Sequence, residues 1–140
     1  MSAERISFEE AQGRLTRGPF HQWLGLQLLA LGEDTVEIKA TWRAEWVVNP
    51  DRGNTHGGIL AALVDIAADW ALTSRLGRAV PTIDMRVDYH SFALPGDLVA
   101  KGRVVKFGKQ FSVCESQVFD KDGRLLASGR GTYLTAPPQG

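Results

Sequence analysis

From Thr35 to Trp42 apolar and polar residues alternate without a break: Val36, Ile38, Ala40 and Trp42 on one side, Thr35, Glu37, Lys39 and Thr41 on the other. A period of two is the mark of a strand with one buried face. Gly25 to Leu31 reads as a preceding strand, with Gly32-Glu33-Asp34 as the turn between them. After Pro81 the pattern is strand after strand. The runs are Thr82–Phe92, Leu98–Phe107, Phe111–Phe119 and Arg124–Leu134, separated by short breaks rich in Gly, Pro and Asp. Breaks of that length and composition suit antiparallel connections. Two segments follow a different rule. Ser7-Phe8-Glu9-Glu10 has the spacing of a capping box and predicts a short helix from Phe8 to about Arg17, stopped by Gly18-Pro19. His56-Gly57-Gly58 opens a second helix, which ends near Leu76 with Gly77 as its cap. Ile59, Leu60, Leu63, Val64, Ile66, Ala67, Trp70, Ala71 and Leu72 cover most of its circumference, so it is buried on several sides. Residues 43–56 carry loop composition. The economical arrangement is α+β: an antiparallel sheet of about six strands wrapped around one long helix, with a short helix at the N-terminus.

Length and charge narrow the class. The 140 residues suit one domain spanning 1–140, with a core from about 20 to 135 and flexible ends at 1–5 and 136–140. Sixteen basic residues balance sixteen acidic ones, so no basic surplus recommends a nucleic acid as partner. The first residues hold no positive region followed by an apolar run, and Gly57–Leu72 is too short and too acidic to span a membrane. One cysteine, Cys114, excludes an intramolecular disulfide and a multi-cysteine zinc site. A cytoplasmic location is the default expectation.

The chemistry concentrates on the long helix. Asp65 stands between Val64 and Ile66 in a segment with little polar surface. A carboxylate in apolar surroundings must be paired, protonated or placed at a cavity, and such groups mark functional sites. Asp69 lies one turn on, where a like charge disfavours joint ionisation; an arginine partner such as Arg75 or Arg86 is the ordinary expectation for it. His56-Gly57-Gly58 offers unpaired N–H groups at the positive end of the helix, with glycine allowing close approach to a carbonyl oxygen. No metal-ligand spacing, phosphate loop or nucleophile elbow occurs, and Cys114 reads as a buried thiol.

The segment Gly53-Asn54-Thr55-His56-Gly57-Gly58 through Asp65 resembles the HGG-x6-D helix start of hotdog-fold acyl-CoA thioesterases, in particular the phenylacetate-pathway (PaaI-like) branch. Thr82–Tyr89, Gly96-Asp97, Gly108-Lys109 and Gly123…Thr132 are similar to further stretches of that family, so the likeness covers about residues 20–135. The resemblance implies a hotdog fold, homodimers or dimers of dimers with sites at the dimer interface, and hydrolysis of an acyl-CoA to free acid and coenzyme A without metal or redox cofactor. By position it makes Asp65 the general base or nucleophile and Gly57 the oxyanion donor, with His56 beside it. Thr82 becomes the hydroxyl that holds water or carboxylate. A polar residue ahead of the HGG is filled by Asn49 or Asn54. Gly58, Lys106 and Lys109 are expected at the substrate, the lysines with Arg103 and Arg124 facing the phosphates. Trp42, Trp46, Trp70 and Phe92 are candidates for the acyl pocket. Two rivals stand beside hydrolysis: binding of an acyl-CoA without turnover, and dehydration of a hydroxyacyl thioester.

Overall fold

Ser7 accepts the Glu10 N–H at its hydroxyl, 3.1 Å away, and starts α1 (Phe8–Leu15). In a computed structural model, which describes residues 5–137, this helix ends two residues before the expected Arg17, because the Arg17 N–H closes onto the Arg14 carbonyl, three residues back and not four. Of the expected tails at 1–5 and 136–140, residues 1–4 and 138–140 lie outside the described residues. Arg5 pairs with Asp34 at 2.7 Å. A five-residue helix, α2 (Pro19–Trp23), follows with proline in its first turn.

Six strands form one antiparallel sheet. They are β1 (Gln27–Gly32), β2 (Thr35–Ala40), β5 (Thr82–Tyr89), β6 (Leu98–Lys106), β7 (Phe111–Asp120) and β8 (Leu125–Leu134), in the order β1-β2-β6-β7-β8-β5. The strand expected to reach Phe92 stops at Tyr89, where His90 and Ser91 both donate to the Leu126 carbonyl and the chain turns off the sheet. β5 is therefore an edge strand, paired on one side only, with β8.

The long helix α3 (Gly57–Leu76) lies across the sheet, and Gly77 caps it in the left-handed conformation at φ 73°. Small residues set its distance. A Cβ on Gly102 of β6 would sit 2.1 Å from the Ala67 carbonyl oxygen, and one on Gly129 of β8 would sit 2.6 Å from a Val64 methyl. Leu60, Leu63, Val64, Ala67 and Ala71 thus pack against Val36, Ile38, Ala100, Val118 and Ala127 of the sheet in one buried core. Burial of these side chains is the main stabilising term, at roughly 25 cal/mol per Å² of apolar surface.

The loop at 43–56 is more ordered than its composition suggests. It holds a 3-10 turn (Ala44–Trp46) and a short ladder between β3 (Val47–Asn49) and β4 (Asn54–Thr55). Trp46 is fully buried and anchors the loop; its carbonyl accepts the His56 N–H at 2.8 Å. The Thr55 N–H reaches the Ala93 carbonyl at 2.8 Å. These two bonds fix the point where α3 begins.

Candidate active site

At the start of α3, His56 is the N-cap. Its ring Nδ1 accepts the Gly58 N–H at 2.7 Å, which also fixes Nδ1 as unprotonated in this arrangement. The Ile59 N–H returns to the His56 carbonyl. The Gly57 N–H is left without an acceptor among the described residues and points from the positive end of a twenty-residue helix. Tyr89, the last residue of β5, donates its hydroxyl to the Gly57 carbonyl at 3.1 Å. Its ring lies 3.2 Å from where a Gly57 Cβ would be, so glycine leaves room for it. A groove of about 620 Å³ opens here, lined among others by Val48, Asn54, His56, Gly57, Leu60 and Phe92, with Arg124 at its edge.

Asp65 is the second focus. Its Oδ1 accepts two hydroxyl donors, Thr82 at 3.0 Å and Tyr133 at 2.9 Å. Thr82 and Tyr133 are opposite residues in the β5–β8 ladder, so their side chains rise from the same face of the sheet and meet the helix together. Asp65 takes part in no ion pair among the described residues, and no protein donor among them reaches Oδ2. Thr82 is exposed at the sheet edge, and Asp65 is half-buried.

The acid that burial perturbs is Asp69. Desolvation raises it from an ordinary 3.8 to about 7, against the lowering effect of the Thr73 hydroxyl at 2.8 Å, and the charge of Asp65 adds to the rise. The expected arginine partner is absent among the described residues: Arg75 pairs with Asp34 at 2.9 Å and lies over the Phe107 ring, while Arg86 pairs with Asp88. Burial, with the Asp65 charge second, holds the Tyr133 phenol above its usual range. Burial also pushes the Cys114 thiol up to about 12, so it stays protonated and is no nucleophile.

The other residues expected at the site divide clearly by place. Asn54 lines the groove. Asn49 does not; its Oδ1 accepts the Asp51 N–H in a turn. Gly58 donates to His56 and lies exposed beside Gly57. Of the four aromatic residues expected at an acyl pocket, Phe92 alone lines the groove; Trp46 is wholly within the core, and Trp42 and Trp70 pack against it. Lys106 and Lys109 are exposed at the end of β6 and in the β6–β7 turn. That is the end of the sheet opposite to Arg124, which follows the β7–β8 turn. Two tyrosines join the site without having been expected there. Tyr89 carries no signal in the sequence beyond its place in a strand. Tyr133 carries one: it alternates with Gly129 and Gly131, which clear a path from the sheet to the helix.

Comparison with known proteins supplies the class. The Thioesterase superfamily model matches residues 52–127, from the loop before α3 into β8 and more than half of the chain. The chain belongs to this superfamily, and its fold is the hotdog fold of those proteins. A solved protein of the superfamily is 48% identical with a TM-score of 0.88, covering 91% of this chain and 96% of its own. The medium/long-chain acyl-CoA thioesterase YigI of Salmonella typhimurium is 26% identical over 132 residues, 83% of this chain and 84% of its own. A Halobacterium salinarum protein named as an esterase is 37% identical over 94 residues, 60% of this chain, and the match spans 62% of that relative's length.

Proposed function

We propose that the protein is an acyl-CoA thioesterase, hydrolysing an acyl-CoA to free acid and coenzyme A in a site shared by two protomers. One observation carries the reading: an anchored carboxylate with one free oxygen, eight residues along the helix from an unpaired N–H at its positive end. A thioester needs those two groups and an apolar slot. The Gly57 N–H binds the carbonyl oxygen as charge develops on it. Asp65 takes a proton from water as the water oxygen bonds to the carbonyl carbon. The carbon–sulfur bond then breaks, and the departing thiolate takes up the proton that Asp65 received, which returns the carboxylate to its starting state. No metal or redox cofactor enters this scheme.

Eight residues of helix separate the two groups by about 12 Å, too far to serve one carbonyl and its water. Symmetry supplies the remedy. β5 is an unpaired edge. A two-fold axis pairing β5 with its copy runs the strands antiparallel, so the Thr82 end of one protomer lies beside the Tyr89 end of the other. Asp65 is tied to the first end and Gly57 to the second. The same exchange carries Lys106 and Lys109 of one protomer toward the groove of the other, where the phosphates of coenzyme A would need cations. The dimer is the unit of activity in this reading, and a dimer of dimers leaves the geometry unchanged. A reduced, buried Cys114 suits a cytoplasmic compartment.

A panel of acyl-CoA thioesters assayed by free-thiol release tests the reading. Turnover is expected for the wild type, and Asp65→Asn should lower kcat by about a thousandfold or more while the dimer stays folded. Tight acyl-CoA binding by calorimetry with no thiol released from any thioester would replace the enzyme with a binding protein.

A further inference from the structure

We propose that Tyr133 is a positioning residue for Asp65: its buried hydroxyl, with that of Thr82, immobilises one carboxylate oxygen and leaves the other as the oxygen presented to the reaction. The inference rests on the reading of Asp65 as the base.

Three features of the molecule carry it. Tyr133 is 0% exposed. A phenol hydroxyl with no access to water must find an acceptor inside the protein, since a buried unpaired polar group costs about 1–3 kcal/mol. Both acceptors within reach belong to Asp65, the carboxylate Oδ1 at 2.9 Å and the main-chain oxygen at 3.4 Å. The hydroxyl therefore reads the carboxylate's rotation against its own backbone. Second, Thr82 donates to the same oxygen from the neighbouring strand. Two donors on Oδ1 and none on Oδ2 among the described residues make the two oxygens chemically unlike. Third, the ring has a dedicated space. A Cβ on Gly131, two residues back on the same strand face, would lie 2.8 Å from ring carbon Cε2 and 2.9 Å from the hydroxyl oxygen. Only glycine at 131 lets the ring fold along the strand and reach the helix.

The titratable groups facing this pair are Asp69 from α3 and Cys114 from β7, with the Thr82 hydroxyl from β5. Burial first, then the Asp65 charge and its hydrogen bond, disfavour ionisation of the phenol, so Tyr133 remains a donor across the working range. A donor to an ionised carboxylate favours the charged form, and its removal makes the proton harder to lose.

Tyr133→Phe keeps the ring and deletes the hydroxyl. Its kcat is expected to fall about tenfold to a hundredfold, with KM for an acyl-CoA within about twofold. The acidic limb of the pH profile of kcat/KM should move to higher pH, and a carbon-13 NMR titration of the Asp65 carboxyl should move the same way. In an Asp65→Asn background the substitution should cost no further activity. Gly131→Ala, which crowds the ring but retains the hydroxyl, should move the profile in the same direction. An unmoved Asp65 titration, or an equal loss in the Asp65→Asn background, overturns the proposal in favour of a packing role. A moved titration in a protein that releases no thiol overturns the thioesterase reading instead, and with it any catalytic use of Tyr133.

Discussion

At the scale of single residues, two acids one helical turn apart have opposite fates. Asp65 has hydroxyl donors and an open oxygen; Asp69 has one hydroxyl and is largely desolvated. The order along the helix made Asp65 legible, because a carboxylate in an apolar helix below an HGG start is unusual in sequence. The perturbation of Asp69 was legible only as a like-charge conflict. Its missing arginine was not, since Arg75 is drawn to Asp34 in the β1–β2 turn, a contact set by tertiary structure. The fate of Asp69 has a thermodynamic signature. Its folded value of about 7 lies above the ordinary 3.8 of an unfolded chain. The folded state thus holds this proton after the unfolded state has released it. Stability from this group is complete below about pH 4, falls as pH rises toward 7, and is lost above it. Asp69→Asn removes the titration while keeping an oxygen for the Thr73 hydroxyl. Thermal unfolding should show no difference from wild type near pH 4 and a more stable variant at pH 8, by on the order of 2–4 kcal/mol. An equal offset at both pH values would mean that Asp69 ionises freely.

Among the elements, the strands and the long helix followed from periodicity and turn chemistry to within a few residues, with β5 the largest miss. The strand pattern of β5 ran on to Phe92 in sequence, yet the ladder ends where Leu126 accepts two N–H groups from the departing chain. Hydropathy does not record that event. The 3-10 turn and the β3–β4 ladder were hidden for a similar reason: Pro, Gly, Asn and Asp crowd residues 49–54 at the middle of the segment, and its order comes from one buried tryptophan, Trp46. What no periodicity shows is how closely α3 approaches the sheet. Gly102 decides it, because a methyl group there would meet the Ala67 carbonyl of the helix at 2.1 Å. Backbone cannot swing aside as a side chain can, so the helix must lift. Gly102→Ala should destabilise the fold by about 2–3 kcal/mol in chemical denaturation. A cost below about 0.5 kcal/mol would show that the helix is not seated against β6.

For the whole molecule, the fold class was readable and the site was readable only in halves. The HGG start and Asp65 are eight residues apart in the chain, which suggests proximity, but a helix turns that spacing into distance. The protomer holds the two halves at separate ends of its free edge, so the second copy completes the chemistry in this account. That can be tested by mixing two inactive proteins. Gly57→Pro deletes the one N–H proposed to hold the oxyanion. Proline is tolerated at the first helical position, His56 already has the extended geometry, φ −57° and ψ 134°, that a following proline requires, and the Tyr89 ring edge, 3.2 Å from the added Cβ, has to give by only a few tenths of an ångström. Asp65→Asn deletes the proposed base. Each homodimer then lacks one function in both of its sites. In a mixed dimer one site combines both lesions, and the other combines an intact N–H with an intact carboxylate. Equal amounts unfolded and refolded together should give half mixed dimers with one working site each, so about a quarter of wild-type thiol release is expected. A site complete within one protomer gives no recovery at any ratio, because every chain carries a lesion. The yield should also fall on dilution below the dimer dissociation constant, with a dependence on concentration that a monomeric enzyme would not show.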